Sequence, residues 1–596
     1  MSTDIPFLGL IILMIIIIGI YFCTKKPTVG NIEGIKLAQI LFESEKYKSF
    51  TIIDFLKYVA KEYPNICALK IKNGNNGWKS ISYSTYYKNV ANFSYSMNYW
   101  LGPKTNVAII GSNSPGWFYA HLGCMLNSGT SIGMYSSNTI DMCTHIINNS
   151  NAELLVVDDD EQLKKFIDSD IPKIKLIVYY SPVKNKTVKK FNIPVISMGN
   201  FMAQQNKTDS VPKPKLDNIA TIIYTSGTNG VLKGAQLTHE NIMVSIRQMI
   251  NLINTKSTIK HFGEEQFVSY LPLNHIAAQM MDVYIPIITL STVWFAERNS
   301  FTPTTLESKL TLVDTIADVK PTIFMGIPYV WEKLQNKIDD EVVKSGIQGS
   351  LAKTFSPWKI LEKLGLDRCK LAFTSTASIL QSTKNYFDSV DLKIYEIYGM
   401  SETAGPISIS LPGLNRVGSV GAPLMNVKIA KDNEIMVKGK NLFIGYSGSK
   451  PCDDDWFPTG DLGKLDGDGF LYVTGRKKEM ITIGNENISP TAVENKLKEY
   501  LNKYFDFIIV VGNKKKHLAV LFVSDPKIAK LQPNNLNEII MNSINEVNKY
   551  VSASHTIRRW NILKQSFKIG KEITPTLKLR RLFINDKYKK EISKLF

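Results

Sequence analysis

An α/β chain of more than one domain is predicted by three observations. The length of 596 residues exceeds what one hydrophobic core supports. Short apolar runs alternate with helix-period segments, the pattern of parallel sheets covered by helices. After about residue 476 the chain changes character and a smaller unit begins. The boundaries expected are an N-terminal segment 1–26, a large domain 27–476 of mixed β-sheets layered with helices, and a small α+β domain 477–596.

Each element is justified in chain order. Residues 7–23 are uncharged and almost wholly aliphatic; as a helix they would span roughly 26 Å, close to a bilayer core. Asp4 precedes this run, and Lys25 and Lys26 follow it. That charge order is the reverse of a cleaved signal peptide. One transmembrane helix is therefore expected, a single-pass anchor with the remaining chain facing the cytoplasm, the endoplasmic reticulum being one candidate membrane. Helical spacing over 50–63 and 84–101 flanks a strand-like stretch at 67–72. Strands at 107–111, 130–134 and 152–157 then alternate with helices at 115–127 and 140–148. A polar connector carrying prolines covers 203–217, and strands resume near 267–270, 322–325, 371–374 and 394–397. The C-terminal unit reads as a helix at 490–500, strands at 505–511 and 518–523, a helix at 536–550 and a basic tail.

Composition narrows the function classes. With 44% hydrophobic and 21% charged residues the chain is ordinary globular protein rather than disordered. Its net charge of +18 comes from dispersed lysines, without the clustered basic and aromatic residues that track a nucleic-acid backbone. No nucleic-acid partner is expected; anionic lipid or polyphosphate ligands suit such a surface better. Cys23, Cys67, Cys124, Cys143, Cys369 and Cys452 form no Cys-x-x-Cys pair, and read as reduced thiols. The seven histidines have no zinc-ligand spacing.

The most informative stretch is 221–235, an apolar strand running into glycine, hydroxyl residues and one lysine. Gly227, Gly230 and Gly234 allow close backbone approach, Thr225, Ser226 and Thr228 supply hydroxyl donors, and Lys233 supplies a mobile ammonium. Such a composition suits a polyphosphate cradle, and taken alone suits a flexible connection after a strand equally; it is not a Walker loop, because Lys233 is followed by Gly234 rather than Ser or Thr.

Further motifs give the loop its context. Tyr398-Gly399-Met400-Ser401-Glu402-Thr403, Pro458-Thr459-Gly460-Asp461, Gly475-Arg476-Lys477-Lys478-Glu479 and Thr574-Pro575-Thr576-Leu577-Lys578 follow in order. With the loop they resemble the ordered motifs of adenylate-forming enzymes: acyl-CoA synthetases, luciferases and peptide-synthetase adenylation domains. Leu271-Pro272-Leu273-Asn274-His275, Asn113-Ser114-Pro115-Gly116-Trp117-Phe118 and Gly484-Asn485-Glu486-Asn487 narrow the resemblance to long-chain acyl-CoA synthetases, and within them to the bubblegum subgroup.

That resemblance implies a large adenylation domain, a mobile C-terminal domain, and a long-chain fatty acid–CoA ligase using ATP, Mg2+ and coenzyme A. By it, Thr225, Ser226, Gly227, Thr228, Asn229, Gly230 and Lys233 cradle the β- and γ-phosphates. Glu402, with Thr225, holds the metal, and Met400 and Ser401 belong to the same motif. Tyr398 lies against adenine with Gly399 leaving it room, while Asp461 and Arg476 hold the ribose or a phosphate. Lys578 compensates the attacking carboxylate and the α-phosphate; His275 lines the acyl site. Lys478 is the hinge, and Gly484 meets coenzyme A after the domain turns. The anchor would place the enzyme at the lipid membrane that holds its long-chain fatty acid. Activation of another carboxylate, or a non-catalytic lipid or nucleotide binder, are the rival readings. Asn229 and Leu232 stand where the family has threonine and proline, and Thr374-Ser375-Thr376-Ala377-Ser378 where it has a Gly-Ala-Ala-Pro-like segment.

Overall fold

The computed structural model describes residues 38, 41–74, 77–204, 211–226, 232–256, 265–297, 311–344, 357–451, 455–484, 486–524, 533–574 and 576–596. Its largest sheet has eight strands, in the order Gly445–Tyr446, Leu232–Thr238, Ile219–Ser226, Ser131–Met134, Val107–Ile110, Leu154–Val157, Leu176–Tyr179 and Val195–Ser197. From Ile219–Ser226 to Val195–Ser197 the strands run parallel. The central strands Val107–Ile110 and Leu154–Val157 are buried along their whole length, as unbroken apolar runs require when helices cover both faces.

A second sheet has five strands, Ile323–Gly326, Leu371–Thr374, Ile394–Met400, Gly405–Ile409 and Ala422–Pro423. Its first three are parallel, so their carboxyl ends share one rim. Ligands of open α/β sheets bind at such rims. A four-stranded sheet joins Gln266–Ser269, Thr292–Phe295, Cys67–Lys72 and Trp78–Ser82, and another, antiparallel, joins Asn426–Ile429, Glu434–Lys438, Phe457–Leu465 and Leu471–Arg476. The C-terminal unit has its own core on a sheet of Phe507–Val511, Leu518–Val523 and Ile557–Leu563, covered by helices Pro490–Leu501 and Leu536–Asn548. Residues 557–563, read from sequence within a basic tail, are instead a strand parallel to Leu518–Val523.

The expected transmembrane helix is corrected. Among the described residues no helix is long and apolar enough to cross a membrane, and the stretch 7–23 lies outside the described residues. The most apolar candidate, Pro115–Leu126, has 12 residues, about 18 Å of helix against a hydrocarbon core of about 30 Å. Tyr83–Leu101 has 19 residues but carries serine, asparagine and lysine side chains along its length. The single-pass anchor, the membrane localisation and the lipid-membrane partner drawn from that helix are corrected with it.

Candidate active site

The nucleotide end of the site is a hairpin. Strand Ile219–Ser226 pairs antiparallel with Leu232–Thr238, Thr225 opposite Lys233 and Tyr224 opposite Gly234. Gly227, Thr228, Asn229 and Gly230 lie outside the described residues. The hairpin base is fixed by the Tyr224 hydroxyl, which donates to Asn149 Oδ1 at 2.6 Å. The exposed Lys233 ammonium sits 5.2 Å from the centre of the Tyr446 ring. Tyr446 in turn donates its hydroxyl to Glu402 Oε1 at 2.7 Å. Tyr446 escaped the sequence reading, because no motif marks it and its partners are remote in the chain. It nonetheless adjoins both Lys233, assigned to the phosphates, and Glu402, assigned to the metal.

Glu402 is buried in the short turn Ser401–Thr403 that follows strand Ile394–Met400. Thr403 closes this turn, donating its hydroxyl to the Gly405 carbonyl at 2.7 Å, and the Phe443 N–H bonds the Glu402 carbonyl at 2.8 Å. Gly399 stands at a bulge, and a Cβ there would meet the Gly405 carbonyl oxygen at 2.1 Å. The backbone itself thus requires glycine here, whatever a ligand ring requires. The donor set is a single buried carboxylate near hydroxyl-bearing strands; among the described residues no three acidic, histidine or cysteine side chains cluster. One carboxylate fits Mg2+, which keeps water and substrate phosphate as its other ligands.

Asp461 joins two sheets. It lies opposite Arg476 across an antiparallel pair, accepts from Arg476 Nε at 2.9 Å, and accepts from the Tyr398 hydroxyl at 2.8 Å. Burial and the adjoining Asp461 carboxylate push the Tyr398 phenol well up, so it remains a donor. Tyr398, Asp461 and Arg476, assigned separately from three motifs, therefore form one hydrogen-bonded group.

Lys578 belongs to the C-terminal unit but reaches this group. Its N–H donates to Thr574 Oγ1 at 3.0 Å and its carbonyl accepts from the Thr574 N–H at 2.8 Å. Burial, then the nearby Arg476 charge, lower the ammonium to about 8, while Asp461 and Glu479 oppose the shift. His275 faces the same charge: burial, then Lys578, lower its imidazole to about 4. Its Nδ1 accepts from the Ala277 N–H at 3.2 Å, so the neutral ring carries its proton on Nε2. A narrow pocket beside it is lined by Leu271, His275, Ala277, Met325, Thr376 and, from the C-terminal unit, Thr576.

Thr376 holds a φ of 76°. A β-branched residue in that region is strained by roughly 1–2 kcal/mol. Thr376→Gly is expected to stabilise the chain by about 0.5–1 kcal/mol, relief of strain outweighing the greater freedom of unfolded glycine; urea unfolding checks it, and a lower midpoint would contradict the strain.

Lys478 is exposed in the turn Lys477–Glu479, between Lys477, paired with Asp432 and Glu434, and Glu479, paired with Arg581. Gly484 turns the ribbon Ile481–Ile483/Glu486–Ile488 at a φ of 60°, with open space where a Cβ would be.

Comparison with known proteins shows the family of the chain. The family model described as AMP-binding enzyme matches residues 56–447, and the one described as AMP-binding enzyme C-terminal domain matches 478–596. The chain is 32% identical to the long-chain-fatty-acid–CoA ligase ACSBG2 of Rattus norvegicus, over 92% of this chain and 93% of that one. It is 30% identical to the human long-chain-fatty-acid–CoA ligase ACSBG1, over 89% and 83% of the two chains. Among solved structures, the adenylation domain of a carboxylate reductase from Mycobacterium chelonae superimposes with a TM-score of 0.76 at 17% identity, covering 95% of each chain. The A domain of a carboxylic acid reductase from Segniliparus rugosus, in complex with AMP and a co-purified carboxylic acid, gives 0.77 at 14% identity over 96% and 98%. The last two likenesses concern the fold alone. The matched family models and the near full-length identity to the ligases establish that the chain belongs to the AMP-binding enzymes, in the branch of the bubblegum long-chain-fatty-acid–CoA ligases.

Proposed function

We propose that this enzyme is a long-chain fatty acid–CoA ligase that works through an acyl-adenylate. The observations that carry the reading are the hydrogen-bonded group of Tyr398, Asp461 and Arg476 and the pocket at the carboxyl-end rim lined by His275 and, from the C-terminal unit, Thr576, with Lys578 two residues further on and its charge felt by His275. A carboxylate oxygen of the fatty acid attacks the α-phosphorus of ATP, the bond from that phosphorus to the bridging oxygen breaks, and pyrophosphate leaves. Two anions must approach each other, so charge neutralisation and alignment supply most of the catalysis. Lys578 meets the attacking end and Lys233 the departing one. Thr225, Ser226 and the loop to Gly230 hold the β- and γ-phosphates, Tyr398 and Gly399 take the adenine, and Asp461 and Arg476 take the ribose. Glu402 and the Thr225 hydroxyl hold Mg2+, which when bound neutralises phosphate charge. In the second half-reaction the thiol sulfur of coenzyme A attacks the acyl carbonyl, AMP leaves, and the thiol proton passes to solvent. Turning of the C-terminal domain 477–596 about Lys478 exchanges Lys578 for the Gly484 ribbon between the two steps.

Purified protein given labelled pyrophosphate, ATP and palmitate is expected to form labelled ATP, and to release AMP only when coenzyme A is added. A panel of C8 to C24 acids is expected to favour the long chains. Nucleotide binding without exchange on any acid would sink the catalytic reading, and exchange confined to aryl or medium-chain acids would sink the substrate assignment.

A further inference from the structure

We propose that the Leu577 side chain is the apolar pin that docks the C-terminal unit on the large domain for adenylation, and so holds Lys578 in the site; this deepens the adenylation reading above and rests on it. Leu577 immediately precedes the lysine and packs against two hydrophobic clusters at once. One is the main core of the large domain; the other is a C-terminal cluster that includes Ile573, Ile584 and Tyr588. Among the described residues no other apolar side chain joins a large-domain cluster to a C-terminal one. An ion pair that crosses the same boundary is weak by comparison. Lys333, on helix Pro328–Lys344, stands 4.0 Å from Asp506 and is 45% exposed, and an exposed pair at that distance contributes little. Apolar burial at Leu577 therefore outweighs it.

The backbone at Leu577 makes the same demand. Its φ is 60°, in the left-handed region that favours glycine and strains a leucine. Such strain persists where surrounding contacts over-determine it. The Leu577 N–H donates to the Thr574 carbonyl at 2.8 Å, and Lys578 is tied to Thr574 through its N–H at 3.0 Å and its carbonyl at 2.8 Å. The turn 574–578 is thus closed from within. The next tie, from the Arg580 N–H to the Glu572 carbonyl at 2.8 Å, also stays inside the C-terminal unit. These main-chain bonds shape the arm without joining it to the large domain. The leucine side chain crosses the boundary, with Thr576 beside it in the lining of the pocket that His275 also lines. Glycine would relax this turn, yet leave the arm without its hold.

Leu577→Ala removes the contact, Leu577→Gly removes the strain as well and serves where alanine does not fold, and Leu577→Met keeps the apolar bulk. On the full chain, ATP–pyrophosphate exchange is expected to fall about 10-fold with alanine or glycine, the loss of one buried apolar anchor, and to stay near wild type with methionine. Thioester formation from preformed acyl-adenylate should be unchanged in each, because the arm has left the site by that step. The alkaline limb of exchange should move as well. Arg476, Asp461, Glu479, Arg581 and His275 face the ammonium, and burial lowers it to about 8. Released to water the lysine regains its ordinary 10.5, so a loss of about 10-fold in docked protein should carry the limb up by about one pH unit. Hydrogen–deuterium exchange of 574–580, followed without nucleotide, should quicken in Leu577→Ala and Leu577→Gly. Ile592→Ala, which trims the same C-terminal cluster away from the arm, should alter none of these, and thermal melts establish which variants are folded. Folded Leu577→Ala with wild-type exchange, or exchange restored by glycine alone, overturns the proposal, as does an equal fall in both half-reactions. A wild type inactive in pyrophosphate exchange would remove the adenylation reading instead; deuterium uptake would then decide the docking role, faster uptake upholding it and unchanged uptake overturning it.

Discussion

Lys578→Ala is expected to cut ATP–pyrophosphate exchange by about 100- to 1,000-fold, the loss that follows removal of one preorganised charge-stabilising group. ATP affinity should remain near that of the wild type, and thioester formation from preformed acyl-adenylate should survive, since the lysine serves the first half-reaction. A pH profile adds a readout that a merely structural lysine would not move. Burial and Arg476 lower the ammonium from 10.5 to about 8, so kcat/KM for exchange should fall as pH rises through about 8. The stability contribution has the opposite sign. Between about 8 and 10.5 the unfolded chain binds the proton that the folded chain has released, so the lysine adds stability as pH rises through that window. Alkaline loss of activity without loss of denaturation midpoint would therefore identify titration rather than unfolding. Lys578→Arg, always charged, should lack the alkaline limb even if its longer, planar head group lowers the rate. Wild-type exchange in Lys578→Ala would refute the assignment.

The sequence made some of this visible for physical reasons that particular elements expose. Val107–Ile110 and Leu154–Val157 could be read because strands buried on both faces are unbroken apolar runs. Leu232–Thr238 could not, because Lys233, Gly234 and Gln236 interrupt any apolar alternation; it is a strand through its pairing with Ile219–Ser226 and Gly445–Tyr446. Likewise Arg558 and Arg559 made 557–563 look like solvated tail, although it lies in parallel register beside Leu518–Val523. At the site, Lys578 was legible only through the family resemblance. Composition places it in a basic end, and only the local bridges from Ile569 and Leu579 to Ile573, with the Thr574 bonds, fold that end into an ordered segment. Tyr446 was silent because its meaning lies in contacts 44 residues away and across a sheet edge. Gly399 was legible as a glycine for a reason that differs from the observed one: the close Gly405 carbonyl needs that space.

Asp461→Ala is expected to raise the KM for ATP by about 100-fold, within the 2–5 kcal/mol typical of truncating one partner of a hydrogen-bonded charge pair. The carboxylate is buried and receives two donors, Tyr398 Oη and Arg476 Nε, so alanine leaves both without their acceptor. Arg476 is 45% exposed and regains water, which limits the loss of folding stability to about 1–3 kcal/mol, chiefly from the phenol. Asp461→Asn separates shape from charge. It can still accept from Tyr398, so folding should be nearly intact, but the charge beside Lys578 is gone. Asp461 is one of the groups that hold the Lys578 proton in place against burial and Arg476. Its neutralisation should therefore move the alkaline limb of kcat/KM below about 8, in the direction opposite to Lys578→Arg. A limb that stays put in Asp461→Asn while KM for ATP rises would mean that the carboxylate serves the ribose alone and has no electrostatic hold on the lysine. A limb that moves with KM little changed would mean the reverse, that the aspartate acts mainly by keeping Lys578 charged for the attack on phosphorus.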